Sequence, residues 1–168
     1  MAVYMGLGAN MGDAAGHIRR ALAAVAALPG VSVQAVSPFY RTEPQGLREQ
    51  PWFVNAVARL HCAGDWTPCT LVGAFLRIEA GLGRVRPVEP QARPGPRPID
   101  LDLLLFDDVS SNVPECRVPH PMLLRRAFVL VPLRDIAPEV MVAPGMTPDM
   151  ALERLDYTVR GDEIRQPR

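Results

Sequence analysis

No run of apolar residues reaches the roughly eighteen needed to cross a bilayer. The opening Met1-Ala2-Val3-Tyr4-Met5-Gly6 places no basic stretch ahead of an apolar core, so neither a membrane span nor a secretory leader is expected. An excess of charge of one sign is also missing, because eighteen basic and eighteen acidic side chains cancel. That removes the usual footprint of a nucleic-acid or anionic-membrane partner and leaves any anion site to a local cluster. Cysteine is scarce: Cys62, Cys69 and Cys116 are odd in number, and their spacing matches neither a disulfide framework nor a zinc knuckle. A reducing cytosol is the expected compartment, and a soluble cytoplasmic monomer the expected form. Repeats, low-complexity tracts and dividing linkers are absent. With 48% hydrophobic and 21% charged residues, positions 1–168 are expected to form a single domain around one core.

What is present is periodicity. Ala2 to Gly8 is a short apolar run ending in a Gly/Asn cluster, as a buried strand feeding a loop would be. From Asp13 to Leu28 the residues Ile18, Leu22, Val25 and Leu28 recur at helical steps until Pro29-Gly30 stops the chain. Val31 to Tyr40 and Phe53 to Cys62 alternate as strands do. Thr67-Pro68 is a helix start, since the hydroxyl caps free amides and proline at the first position loses nothing. Leu71, Phe75, Ile78 and Leu82 continue that helix to Gly81 and Gly83, and Ile99 to Phe106 is the strongest strand. The order is βαββαβ, which predicts an α+β, ferredoxin-like fold with an antiparallel sheet and two helices on one face. C-terminal helical additions are expected near Leu123 to Ile136 and from Thr147-Pro148, followed by a frayed tail after Tyr157.

The segment PGPRPIDLDLLLF, positions 94 to 106, sets Asp100 and Asp102 two apart, hence on one side of a strand. Ile99, Leu101, Leu103 and Leu105 are expected on the other side by alternation, and the aspartate side continues as Leu104 and Phe106. Two like charges there repel, and a divalent cation relieves the repulsion; carboxylate oxygens suit magnesium shared with substrate phosphates. The alternative is a solvent-facing acidic pair on an edge strand. Arg84, Arg86, Arg93 and Arg97 are spread over a loop stiffened by Pro87, Pro90, Pro94 and Pro96. Guanidinium groups make paired contacts to phosphate oxygens, and arginines facing an acidic strand suit phosphoryl transfer. Glu79, in the last turn of the second helix, is disfavoured by the macrodipole; alone it reads as an exposed glutamate. His120 lies between two prolines in an extended turn. Gly6, Gly8 and Gly12 give GxGxxxG, and no acidic residue occurs from position 14 to 42, so a dinucleotide-binding fingerprint is rejected.

Five segments together resemble the 6-hydroxymethyl-7,8-dihydropterin pyrophosphokinase family: YMGLGANMGD; YRTEPQG with QPWFVNAV; IEAGLGRVR; GPRPIDLDLLLF; and VPHPMLLRRAFVLVPL. The resemblance implies that Asp100 and Asp102 bind two magnesium ions, that Arg84 and Arg97 stabilise the transferring group, and that Asp102 also takes part in catalysis. It places Glu79, Arg86, Leu103, His120 and Arg126 around ATP. The pterin is implied between Phe53 and Phe128, with Thr42, Gln45 and Asn55 on its polar edges; without the resemblance both phenylalanines read as core. The implied partners are ATP and the pterin, with no nucleic acid and no membrane. Segments near positions 44 to 52 and 84 to 97 are implied to close over them, the second stiffened by its prolines. A ferredoxin-like RNA-binding or non-catalytic ligand-binding module is the alternative. It lacks support in the scarcity of aromatics on the central strands and in the neutral charge.

Overall fold

The first strand becomes the centre of the sheet. β1, Ala2–Ala9, pairs antiparallel on one side with β4, Phe53–Cys62, and on the other with β5, Asp100–Phe106. The computed structural model describes residues 1–45, 49–86 and 95–167. Arg93, and the Pro87–Pro94 part of the proline-rich loop on which the stiffness expectation rests, lie outside the described residues. Among them no helix is long and apolar enough to cross a membrane.

The expected strand from Val31 to Tyr40 is two strands. β2, Val31–Val36, and β3, Tyr40–Thr42, pair antiparallel with different halves of β4. Pro38 has no N–H for a ladder, and Ser37 bridges the break: its N–H donates to Val57 O and its hydroxyl accepts from Val57 N–H. α1, Ala14–Ala26, starts at an Asp13 cap and buries Ile18, Ala21 and Val25. α2, Pro68–Gly81, starts at Thr67, with Thr70 completing a capping box. Both helices pack on one sheet face, where Leu71 and Phe75 meet Met5, Leu7, Ala58 and Leu60. The opposite face carries α3, Ala127–Ile136, and α4, Pro148–Leu152, around Leu104, Leu130, Leu133 and Leu152. The result is an α+β molecule whose open sheet is covered by helices.

Four expectations are corrected. The tail after Tyr157 is a hairpin rather than frayed chain: β6, Thr158–Arg160, pairs with β7, Glu163–Arg165, and β7 runs parallel to β3. The sheet is therefore not wholly antiparallel, and Ile164 is the one residue that β6 and β7 bury, too little apolar patterning to be legible. Strict alternation along β5 fails because a bulge shifts its register against Tyr4 and Met5. Leu105 consequently joins Leu104 under α3, and Phe106 joins Leu101 and Leu103 under α2. Finally, Cys69 in the first turn of α2 is disulfide-bonded to Cys116. The two lie 47 positions apart in sequence and are brought together only by tertiary packing, which spacing cannot reveal. Cys62 is a free, buried thiol that burial pushes up in pKa.

Tyr40 joins the two sides of the molecule by donating to Asp135 Oδ2 at 2.5 Å, from β3 to α3. Burial first, then the hydrogen bond and charge of Asp135, push the phenol up from 10.0 to about 12. The folded value lies above the unfolded one, so the contribution is complete below about pH 10 and is lost as pH rises toward 12. The chain contains no lysine, so few other side chains titrate in that window. Urea unfolding from pH 9 upward should show wild type losing on the order of 2 kcal/mol that Tyr40→Phe does not lose; parallel curves would contradict the assignment.

Candidate active site

A cavity of about 410 Å³ opens on the α3 face of the sheet, lined by β1, β3, β4, β5 and the start of α3. Its floor is glycine. Gly6 and Gly8 of β1 stand in register with Asp102 and Asp100 of β5, and Gly8 also with Asn55 of β4. A Cβ at Gly8 would lie 2.6 Å from Asn55 Oδ1, so the missing side chain creates the trough between the aspartates and Asn55. Of the glycines noted in sequence as a GxGxxxG, Gly6 and Gly8 thus serve strand packing, while Gly12, at a φ of 56°, lies in the turn that leads to α1.

Ten of the expected site residues line this cavity: Thr42, Gln45, Phe53, Asn55, Arg97, Asp100, Asp102, His120, Arg126 and Phe128. At one end, Asn55 Nδ2 donates to Thr42 Oγ1 at 2.5 Å, in a buried pair beside Phe53. At the other end Asp100 accepts from Arg84 Nη1 and from Arg97 Nε, the latter at 3.1 Å. Burial works to raise the Asp100 pKa, but the charges of Arg84 and Arg97 outweigh it and hold the carboxyl below its usual range. Asp102 has weaker company: Arg126 Nη1 lies at 3.6 Å and His120 Nε2 at 3.8 Å, beyond hydrogen-bond reach. Burial, then the negative charge of Asp100, push its pKa up to about 6.

His120 is held by three hydrogen bonds to the backbone, one of them from Leu123 N–H to its carbonyl. Its N–H donates to Leu104 O, and its Nδ1 accepts from Met122 N–H at 3.1 Å. The Nδ1 bond leaves the proton on Nε2, aimed toward Asp102. Burial, reinforced by the Arg126 charge, lowers its pKa to about 4, so the ring is a neutral donor at physiological pH. Both aromatic faces are covered by site arginines: Arg97 stacks 4.7 Å from the Phe53 centroid and Arg126 5.6 Å from that of Phe128.

Four expected residues stand behind or beside the cavity. Glu79 is not exposed but 1% accessible. Its Oε1 accepts from Arg84 Nη1 at 2.9 Å and from Leu101 N–H at 2.8 Å, and its Oε2 from Arg86 Nη2 at 2.5 Å. The helix dipole alone marks Glu79 in sequence; the packing of α2 against β5 turns its carboxylate inward. Arg84 is correspondingly enclosed between Glu79 and Asp100, while Arg86 reaches outward. Leu103 is core, 4% accessible, and its side chain packs under α2 rather than into the cavity.

Asn10 and Glu43 were missed. Glu43 lines the cavity. Buried Asn10 donates through Nδ2 to Gln50 Oε1 and Pro51 O, accepts the Arg97 N–H on Oδ1, and donates its own N–H to Arg97 O. One asparagine thus joins the end of β1 to both chain segments that border the cavity. Its position after a strand that ends in Gly8-Ala9 was the available signal.

The model of the family described as 7,8-dihydro-6-hydroxymethylpterin-pyrophosphokinase matches residues 4–138. The chain is 42% identical over 153 residues to the 2-amino-4-hydroxy-6-hydroxymethyldihydropteridine pyrophosphokinase of Methylorubrum extorquens, covering 91% of this chain and 92% of that protein. It is likewise 42% identical over 143 residues to the enzyme so named from Pseudomonas aeruginosa, 85% of each chain, and 37% over 137 residues to that of Bacillus subtilis, 82% of this chain and 78% of the relative. The matched span carries every residue that meets in the cavity, so likeness in sequence and convergence in space lead to one statement: the chain belongs to the 7,8-dihydro-6-hydroxymethylpterin-pyrophosphokinase family.

Proposed function

We propose that this chain transfers the pyrophosphoryl group of ATP to the hydroxymethyl oxygen of 6-hydroxymethyl-7,8-dihydropterin, giving AMP and the pterin diphosphate in folate biosynthesis. The observation that carries the proposal is the position of Asp100 and Asp102. They stand in one cavity between an arginine cluster and a compartment bordered by Phe53, Phe128, Asn55 and Thr42. The alcohol oxygen attacks the β-phosphorus, the bond from that phosphorus to the α-phosphate bridging oxygen breaks, and AMP leaves. The alcohol proton passes to Asp102 or to water.

The acidic pair fits magnesium. Among the described residues no hydrogen-bond donor lies within reach of Asp102, the charge of Asp100 beside it is repulsive, and both residues offer hard oxygen ligands. Two ions held by Asp100 and Asp102 would supply charge neutralisation along the triphosphate. The side chains do the rest. Arg97 leaves the Phe53 face as the pterin ring takes its place, and turns with Arg84 toward the transferring group. His120 donates from Nε2, Arg126 adds charge, and Glu79 with Arg86 supports the arginine cluster beside the nucleotide. Leu103 offers main-chain contacts to the base. Phe53 and Phe128 sandwich the pterin while Thr42, Gln45 and Asn55 meet its polar edge. Positioning and electrostatics dominate in such a scheme.

The proposal extends to a ferredoxin-like βαββαβ core, supported by the strand order β5-β1-β4-β2, and to a single-domain, monomeric enzyme of the cytoplasm, a compartment in which the Cys69–Cys116 bond is an exception. Incubating the protein with ATP, magnesium and the pterin should release AMP only in the complete mixture. ADP, or AMP formed without pterin, would contradict it.

A further inference from the structure

The family match ends at residue 138, yet the chain returns to the cavity afterwards through β7. Arg41 N–H donates to Asp162 O at 2.7 Å, Thr42 stands in register with Ile164, and Ile164 is buried. The two residues that follow grip opposite sides of the cavity. Arg165 lies 3.6 Å from Glu43 and stacks 4.9 Å from the Trp52 centroid, whose ring is also approached by Arg41. Gln166 reaches the other wall: its Oε1 accepts from Ala127 N–H at 2.8 Å and its Nε2 donates to Arg125 O at 2.9 Å.

Those two peptide groups flank Arg126. α3 begins at Ala127, and Arg126 at its cap position makes no side-chain capping bond, so the first amide of the helix would lack a partner. One amide from 39 residues away fills that role and at the same time fixes the carbonyl on the other side. An amide bonded at both ends sets the backbone direction at Arg126 and the start of the helix that carries Phe128. We infer that Gln166 is a positioning residue, orienting Arg126 and Phe128 toward the substrates, and that the β6–β7 hairpin braces the two walls of the cavity against each other. The inference rests on the function proposed above.

Steady-state kinetics of Gln166→Ala, Gln166→Glu and wild type test it, beside Arg126→Ala and the Arg126→Ala/Gln166→Ala double variant. Gln166→Ala should raise the KM for ATP and for the pterin by about fivefold to tenfold, the factor carried by one lost cap, with kcat changed less. Gln166→Glu keeps the acceptor for Ala127 N–H and loses the donor to Arg125 O, so it should fall between. The double variant should show less than the product of the two single effects on ATP KM, because Gln166 acts through Arg126. Unchanged KM values accompanied only by a lower Tm, or strictly multiplicative effects, would overturn the inference. If wild type released no AMP from the complete mixture, the proposed function would fail first, and a distinct result would be seen: no variant would have activity to compare.

Discussion

Asp102→Asn should lower kcat/KM by about a thousandfold, while the metal-free protein becomes more stable at neutral pH. Asp100→Asn should lose activity to a similar degree and become less stable. The two residues sit on one face of β5, yet their surroundings differ. Asp102 is half-buried beside Asp100, with its pKa raised to about 6, so its ionised form costs stability above that pH, and the cost disappears as pH falls below the unfolded carboxylate range. Its side chain is 35% exposed, and after discounting for that solvent the gain is about 1 kcal/mol. Asp100 has its pKa held low by Arg84 and Arg97, so its charge stabilises the fold, and that advantage fades on acidification. Removing it leaves Arg84, 9% exposed, short of a partner, which should cost about 2–3 kcal/mol. Urea titrations in chelator beside turnover measurements check both halves. Equal stability changes in the two variants would contradict the electrostatic account, and near-normal turnover in both would remove the pair from the reaction.

Glu79→Ala should cost about 3–5 kcal/mol, because it breaks a buried ion pair and strands an amide. For a domain of this size that is roughly a 10 °C fall in Tm. Three groups lose an acceptor together, Arg84 keeping Asp100: Arg84, Arg86 and the Leu101 N–H. Activity should fall by about tenfold to a hundredfold as Arg84 loses its orientation. Glu79→Gln retains an acceptor for Leu101 N–H and so should recover more stability than activity. A thermal melt of Glu79→Ala within 2 °C of wild type would show that the carboxylate does not hold the cluster.

Much of this site was legible because it depends on short-range rules. The spacing of Asp100 and Asp102 alone puts them on one side of a strand, and Thr67-Pro68 and Asp13 announce helix starts through local hydrogen bonds. The rest depends on contacts between distant positions. The β5 bulge is set by register against Tyr4 and Met5, and no local residue signals it. Glu79 seemed a surface charge because its partners are Arg84, Arg86 and the Leu101 amide on the far side of a turn. Asn10 and Gln166 act through hydrogen bonds that span 87 and 39 residues. The terminal hairpin escaped notice because β6 is wholly exposed and β7 buries one residue, too few for a period to register. The Cys69–Cys116 bond escaped for the related reason that spacing cannot predict which distant turns meet.

ATP labelled at the β-phosphorus, mixed with magnesium, the pterin and enzyme in excess for a single turnover, tests the central claim most directly. The label should leave with the pterin diphosphate while unlabelled AMP appears at the same rate. Label retained in ADP, or released as free phosphate with the pterin unmodified, would contradict transfer of the pyrophosphoryl group as a unit.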